Sequence, residues 1–317
     1  MAFGSTTTTD EVLAGIDLTG KTAYVTGASA GLGVETVRAL ASAGAEVVMA
    51  ARDPDKVRGA MASVRAAVPT ANLETAELDL ASLASVRAAA AAFLARHDRL
   101  DLLINNAGVM ACPAAVTGDG FELQLGTNHL GHFLLTGLLT PALVAAAPAR
   151  VVNLSSRGHV RSDIRWDDPH FRAGPYDNWE AYGQSKTANI LFTVELDRRL
   201  APHGVRSYAV HPGVIYTELS RHLTSDDLAA LRSRAPGGRL EPKTLAAGAA
   251  TSVWAATSPD LADTGGVYLE DCRVSDHIMA GGATDGHAPW ALDPVAARRL
   301  WSWSEAEVGQ AVLPELA

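Results

Sequence analysis

From about residue 21 onward, short apolar runs alternate with longer, Ala-rich stretches whose apolar positions recur at helical spacing. The runs are TAYVT (22–26), EVVMA (46–50), LETAEL (73–78), LDLLI (100–104), RVVNL (150–154), VRSYAV (205–210) and GVYLE (266–270). Most carry little polar alternation, the pattern of parallel strands covered on both faces. Helices are predicted near 32–43, 53–67, 82–97, 119–146, 179–200 and 242–256. Strand and helix in turn predict an α/β fold: one doubly wound parallel sheet of about seven strands with helices on both faces. Such a sheet binds ligands at the carboxyl ends of its strands. The domain is expected over 19–275, after a flexible tail (1–18) and before a C-terminal extension (276–317). Two stretches break the rhythm. Residues 157–178 intrude between a strand and its helix, and 214–241 follow HPG and hold their own short helical run, SDDLAALRSR. Long loops in a compact domain usually bind or cover something.

Composition narrows the partners. Hydrophobic content of 48% across 317 residues is ample for a large core. A net charge of −9 without a basic run argues against nucleic acid. The two cysteines, Cys112 and Cys272, lie far apart without metal or redox spacing, which fits reduced thiols in the cytoplasm. The first residues show no secretory pattern, and no uninterrupted apolar run reaches spanning length, so no membrane partner is expected. His129 and His132 stand three apart on a predicted helix without a third ligand in spacing, and are read as helix-packing or interface residues, not a metal site. Trp290, Trp301 and Trp303 fit a satellite core, a cap over the pocket or an oligomer contact equally well.

The first strand runs into YVTGASAGLG, which puts Gly27, Gly31 and Gly33 between strand and helix. Glycines there let the backbone approach a pyrophosphate, whose charge a helix N-terminus favours. The second strand ends in Ala51, Arg52 and Asp53. An arginine at that tip would clamp a ribose 2′-phosphate, and Asp53 before Pro54 reads as a helix N-cap. NADP is therefore expected over NAD.

In EAYGQSKTANI, the residues Tyr182, Ser185, Lys186 and Asn189 fall at i, i+3, i+4 and i+7, one face of a helix. A buried amphipathic helix would fill that stripe with apolar groups, so it is expected to border a wet cleft. A tyrosine normally ionises near 10, and a neighbouring ammonium plus an oxidised nicotinamide would favour its phenolate. Tyr182 could then pass a proton while a cofactor moves hydride.

TGASAGLG (26–33), LDL (78–80), NNAG (105–108), TNHLGHF (127–133), VVNLSS (151–156), YGQSK (182–186) and HPG (211–213) together resemble the short-chain dehydrogenase/reductases, from about Lys21 to Glu270. NHLGHFLLT and YGQSKTANILFTVELDRRL are similar to its retinol dehydrogenase and protochlorophyllide reductase-like branch, whose members mostly use NADP. The resemblance implies an enzyme interconverting a ketone or aldehyde and an alcohol. It makes Tyr182 the acid/base and Lys186 the residue that lowers its pKa and holds the nicotinamide ribose. Ser156 would hold the substrate oxygen, with Ser155 the register alternative, and Asn128 would support a water-linked proton path. For the cofactor it implies the turn Gly27, Ser29, Ala30, Gly31, Leu32 and Gly33, with Arg52, Asp79, Leu80, Asn105, Ala107, Gly108, Pro212, Gly213 and Thr217. Ala30 departs from the pattern, since many NADP users have a basic residue there. Ser156 and Tyr182 stand 26 positions apart, about twice the usual gap, so the intervening stretch must loop out. Ile215, Tyr216, Leu219 and Leu223 beside Arg221 suggest a largely apolar small-molecule substrate. The helices at 119–146 and 179–200 are the family's usual dimer surface, so a homodimer or homotetramer is expected. A catalytically silent dinucleotide-sensing regulator is the second reading; it would not need Ser156, Tyr182 and Lys186 together.

Overall fold

The structure, a computed structural model, describes residues 3–227, 229, 241–275 and 285–313. Strands β1 (Thr22–Thr26), β2 (Glu46–Ala51), β3 (Asn72–Glu77), β4 (Leu102–Asn105), β5 (Ala149–Leu154), β6 (Val205–His211), β7 (Val267–Glu270) and β8 (Arg273–Val274) form one sheet. Its order is β3-β2-β1-β4-β5-β6-β7-β8. All neighbours are parallel except β7 and β8. The order reverses between β1 and β4, the place where doubly wound sheets open a crevice. The eighth strand adds to the seven predicted. Asp271 and Cys272 turn the chain with φ of 51° and 53°. Such turns usually advertise themselves by Gly or Asn, and neither residue is present here.

Two apolar layers cover the sheet. On one face, helix α2 (Gly31–Ser42), α3 (Pro54–Ala67) and the helix Leu245–Thr257 enclose Val25, Leu40, Val47, Met49 and Val253. On the other, α4 (Leu83–Leu94) and α6 (Gly131–Ala146) bury Tyr24, Phe93, Leu103, Phe133 and Leu139, and α7 (Asn178–Leu200) adds Phe192 and Leu196. Asp53 caps α3 as expected, its carboxylate accepting from the Asp55 and Lys56 amides with Pro54 in the first turn. The short α5 (Leu123–Leu125) passes through a π turn, Gly126–Leu130, into α6. By length and composition Leu123–Ala146 could cross a membrane, yet 72% of its most apolar stretch is buried within the fold.

Both ends of the chain depart from expectation. The expected flexible tail folds as α1 (Thr9–Val12), with a reciprocal capping box between Thr8 and Glu11. Val12, Leu13 and Leu18 enter the core from it, and Arg38 of α2 pairs with Asp10. In the extension, helix Pro294–Val308 lies against α7 and the π turn. Its Trp301 is 1% exposed, 5.0 Å from the Phe133 ring and 5.9 Å from Phe192. Trp301 is thus core, and the helix covers part of the α6–α7 face expected for dimerisation. Of SDDLAALRSR, Leu228 and 230–234 lie outside the described residues, as does the rest of the 214–241 loop up to 240.

Candidate active site

The carboxyl ends of β1, β2, β4, β5 and β6 open into a cleft of about 820 Å³. The glycine turn forms its floor. Gly27 sits at φ +67°, and a Cβ there would stand 2.8 Å from the Ala107 Cα. A Cβ on Gly33 would overlap the Gly27 carbonyl. Ala30 offers α2 no side-chain cap, so the first-turn amides, the positive end of the helix, border the cleft. Ser29, Ala30, Gly31, Leu32 and Gly33 all line it. Arg52 lines the far end, exposed and without an ion pair among the described residues, with Asp79 and Leu80 close by. Ala107, Gly108, Pro212, Gly213 and Thr217 line it too. A backbone that no Cβ could enter, a helix N-terminus and an unpaired guanidinium fit a dinucleotide.

Asn105 is a correction. Its side chain is buried behind the sheet, donating to Thr136 Oγ1 at 3.0 Å and Asn153 Oδ1 at 2.8 Å. The cleft is lined instead by the next residue, Asn106, whose Nδ2 donates to Thr26 O at 2.8 Å. Successive residues of an extended chain face opposite ways, which separates the two asparagines.

Tyr182 and Ser156 converge as required. Asp177 caps α7 and starts the helix that carries Tyr182 and Lys186 to the end of β5. Of the two serines it is Ser156 whose hydroxyl acts on the Tyr182 phenol, lowering its pKa, and both residues line the cleft. Ser156 Oγ also accepts from the Gly158 amide at 3.0 Å. Ser155 also lines the cleft, but it is buried and its hydroxyl donates to Lys186 O at 2.9 Å, so that hydroxyl holds the helix. Lys186 Nζ donates to Leu154 O at 3.0 Å and lies 5.7 Å from the Tyr182 ring centroid. Burial pushes Tyr182 up to about 12, against the lowering effect of Ser156, and pushes Lys186 down to about 8. The sequence-based expectation was a lowered phenol. In the folded chain desolvation outweighs the Ser156 hydroxyl, so the lowering would have to come from the charge of an oxidised nicotinamide.

Only half of the polar stripe on α7 faces the cleft. Ser185 is fully buried, donating to Tyr182 O and accepting from Asn128 Nδ2. Asn189 donates to Leu154 O. The other half is therefore a buried network, not a wet surface. Asn128, on the π turn, does not line the cleft. Its Nδ2 donates to Val109 O and Ser185 Oγ, both at 2.9 Å, and its Oδ1 accepts from the Val109 amide at 2.8 Å. With both protons committed, it clamps the turn at Val109 to the catalytic helix. The bond from Thr26 to His132 extends this scaffold. Thr26 Oγ1 accepts from the Asn106 and Ala107 amides and lies 2.9 Å from His132 Nε2. His129 lies 2.8 Å from Ser304 Oγ, so both histidines pack as expected.

The open end beyond Tyr182 is lined by Met110, Val160, Trp179, Ile215, Tyr216, Leu219 and Leu223, with Arg161 and Arg221. Trp179 Nε1 donates to Asp227 Oδ1 at 2.7 Å, which ties the loop after β6 to α7. The 157–178 stretch does loop out. Gln184 holds it from both sides, accepting from the Arg165 amide and donating to Pro169 O. Sequence reasoning missed Asn106, Gly158 and Trp179; the asparagine and the glycine stand beside motif residues, but spacing gives no sign of which neighbour faces the cleft.

Residues 21–167 and 170–228 match the short chain dehydrogenase family. The chain is 42% identical over 291 residues to human retinol dehydrogenase 13, covering 92% of this chain and 85% of that protein. A crystal structure from Mycobacterium paratuberculosis superposes with a TM-score of 0.72 at 36% identity, covering 94% of this chain and 96% of that one. The RhlG/NADP active-site complex of Pseudomonas aeruginosa gives 0.64 at 27% identity, covering 80% and 95%. The chain belongs to the short-chain dehydrogenase/reductase family, on its retinol dehydrogenase-like branch.

Proposed function

We propose that this oxidoreductase is NADP-dependent and interconverts an aldehyde or ketone and the corresponding alcohol. The observation that carries the reading is that Ser156, Tyr182 and Lys186 converge in the same cleft as the glycine turn. When bound there, the dinucleotide would supply or accept the hydride. In reduction, Tyr182 gives its phenolic proton to the carbonyl oxygen, which the Ser156 hydroxyl holds. Lys186 places positive charge beside the phenolate left behind and would hold the ribose hydroxyls of a bound dinucleotide. Asn128 keeps the turn at Val109 and α7 in register and acts through them.

Arg52 supports NADP over NAD, as does the similar RhlG structure, an NADP complex. The apolar wall of Met110, Val160, Trp179 and Leu219 supports a largely apolar substrate, and Arg221 at the mouth suits one with a polar or anionic end. The free thiols Cys112 and Cys272 support a cytoplasmic setting. A homodimer or homotetramer would have to assemble away from the part of α6 and α7 under helix Pro294–Val308. A silent sensor has no use for Ser156, Tyr182 and Lys186 together, which disfavours it. Consumption of NADPH and of NADH should be followed with a panel of aldehydes and ketones. Turnover of apolar carbonyls with a preference for NADPH is expected; binding of NADPH without turnover of any carbonyl or alcohol would overturn the reading.

A further inference from the structure

His159 lies inside the fold, fully buried, on the 3-10 turn Arg157–Arg161 just after the serine. Both ring nitrogens are committed. Nδ1 is 2.7 Å from Ser156 O, and Nε2 is 3.0 Å from the Ala288 amide. A carbonyl oxygen only accepts and an amide N–H only donates, so the two bonds demand the same tautomer: proton on Nδ1, lone pair on Nε2. Ala288 belongs to the C-terminal extension, in a segment also anchored by the Gly286 amide on Glu270 Oε1 at 2.7 Å. The ring packs 5.0 Å from that of Tyr268, and Thr187 Oγ1 on the catalytic helix donates to Ser162 O at 2.7 Å, with His159 O a second, longer acceptor at 3.1 Å.

We propose that His159 is a positioning residue for Ser156, its tautomer set by the C-terminal extension through Ala288 and its Nδ1–H fixing the serine carbonyl so that the hydroxyl meets Tyr182. The inference rests on the reaction proposed above. The ring stays neutral at physiological pH because burial holds its pKa down at about 4. Besides Tyr268, the titratable or charged groups that interact with it are His287, Arg157 and His211. The extension thereby gains a part in catalysis without lining the cleft at that point. The 157–178 stretch gains one too, since its first turn carries the bond.

Two substitutions separate positioning from simple tethering. In His159→Asn the amide nitrogen stands close to where Nδ1 was and can still donate to Ser156 O, while the bond to Ala288 is lost. In His159→Gln the longer side chain can still accept from Ala288, while the bond to Ser156 is lost. Each is measured per NADPH-binding molecule, with a carbonyl substrate turned over by the parent enzyme. Expected is a kcat about 10- to 100-fold lower for His159→Gln, the scale of a misplaced catalytic group. NADPH affinity should be unchanged, and His159→Asn should stay within a few-fold of the parent. Parental kcat in His159→Gln, or equal losses in both variants, overturns the inference. Should His159→Gln not fold, Thr187→Val, which frees His159 O together with Ser162 O, must lower kcat in the same way or the inference fails. A parent enzyme inactive on every carbonyl would instead defeat the proposed function, and this inference with it.

Discussion

A Cβ on Gly158 would stand 2.6 Å from Cε1 of Tyr182, so the second residue after Ser156 forms a wall of the catalytic phenol. Real Cβ atoms do not come this close, and the ring cannot yield without leaving Ser156. Gly158→Ala is therefore expected to lower kcat about 10- to 100-fold while NADPH affinity stays near the parent value. Steady-state kinetics with fluorescence titration of NADPH checks this; parental kcat would show that the phenol has room to spare.

Arg52 makes no ion pair among the described residues and lines the far end of the cleft. A hydrogen bond between charged groups contributes roughly 1.5–3 kcal/mol. Arg52→Ala should therefore raise KM for NADPH about 10- to 100-fold and leave KM for NADH nearly unchanged. Equal changes for both cofactors would remove Arg52 from 2′-phosphate recognition.

Three buried histidines give the fold an acid limit. Burial lowers His129 to about 3, and His132 and His159 to about 4. Their unfolded value is near 6.5, so as pH falls the unfolded chain takes up protons first. Stability is complete above about 6.5 and is lost as pH falls toward 4, by about 2 kcal/mol per histidine between pH 7 and 5. Urea midpoints measured across that window should fall steeply. A flat profile would mean the rings are accessible to protons in the folded state.

Trp301 anchors the C-terminal helix among Phe133, Phe192 and the Arg199 guanidinium, whose carbon is 4.4 Å from the indole centroid. Trp301→Ala should cost about 3–5 kcal/mol, read as a lower denaturation midpoint. A loss under 1 kcal/mol would mean the helix is not part of the core.

Much of this was legible because the chemistry and the local rules agree. Apolar runs such as TAYVT can only be buried strands, and Tyr182 and Lys186 share a helix face by spacing alone. The register of Ser156 was not legible, since either serine could face inward. The structure separates them by giving the Ser155 hydroxyl to Lys186 O. The ends were partly legible. Thr8 and Glu11 have capping-box spacing, and Asp293–Pro294 repeats the helix start seen at Asp53–Pro54. Short polar surroundings hid both signals. His159 could not be read at all, because its partner Ala288 is 129 positions away and contributes only a backbone amide.

The central claim is that the Tyr182 hydroxyl moves the proton. Tyr182→Phe keeps the ring that packs on Gly158 and near Trp179, and removes only the phenolic oxygen on which Ser156 acts. The most direct measurement is single-turnover oxidation of bound NADPH by a substrate of the parent enzyme, with NADPH affinity measured on the same sample. The expected result is loss of turnover by at least about a hundredfold, the scale of general acid catalysis, with NADPH affinity within a few-fold of the parent. A variant that binds NADPH and retains most of its turnover would contradict the assignment of Tyr182 as the proton donor.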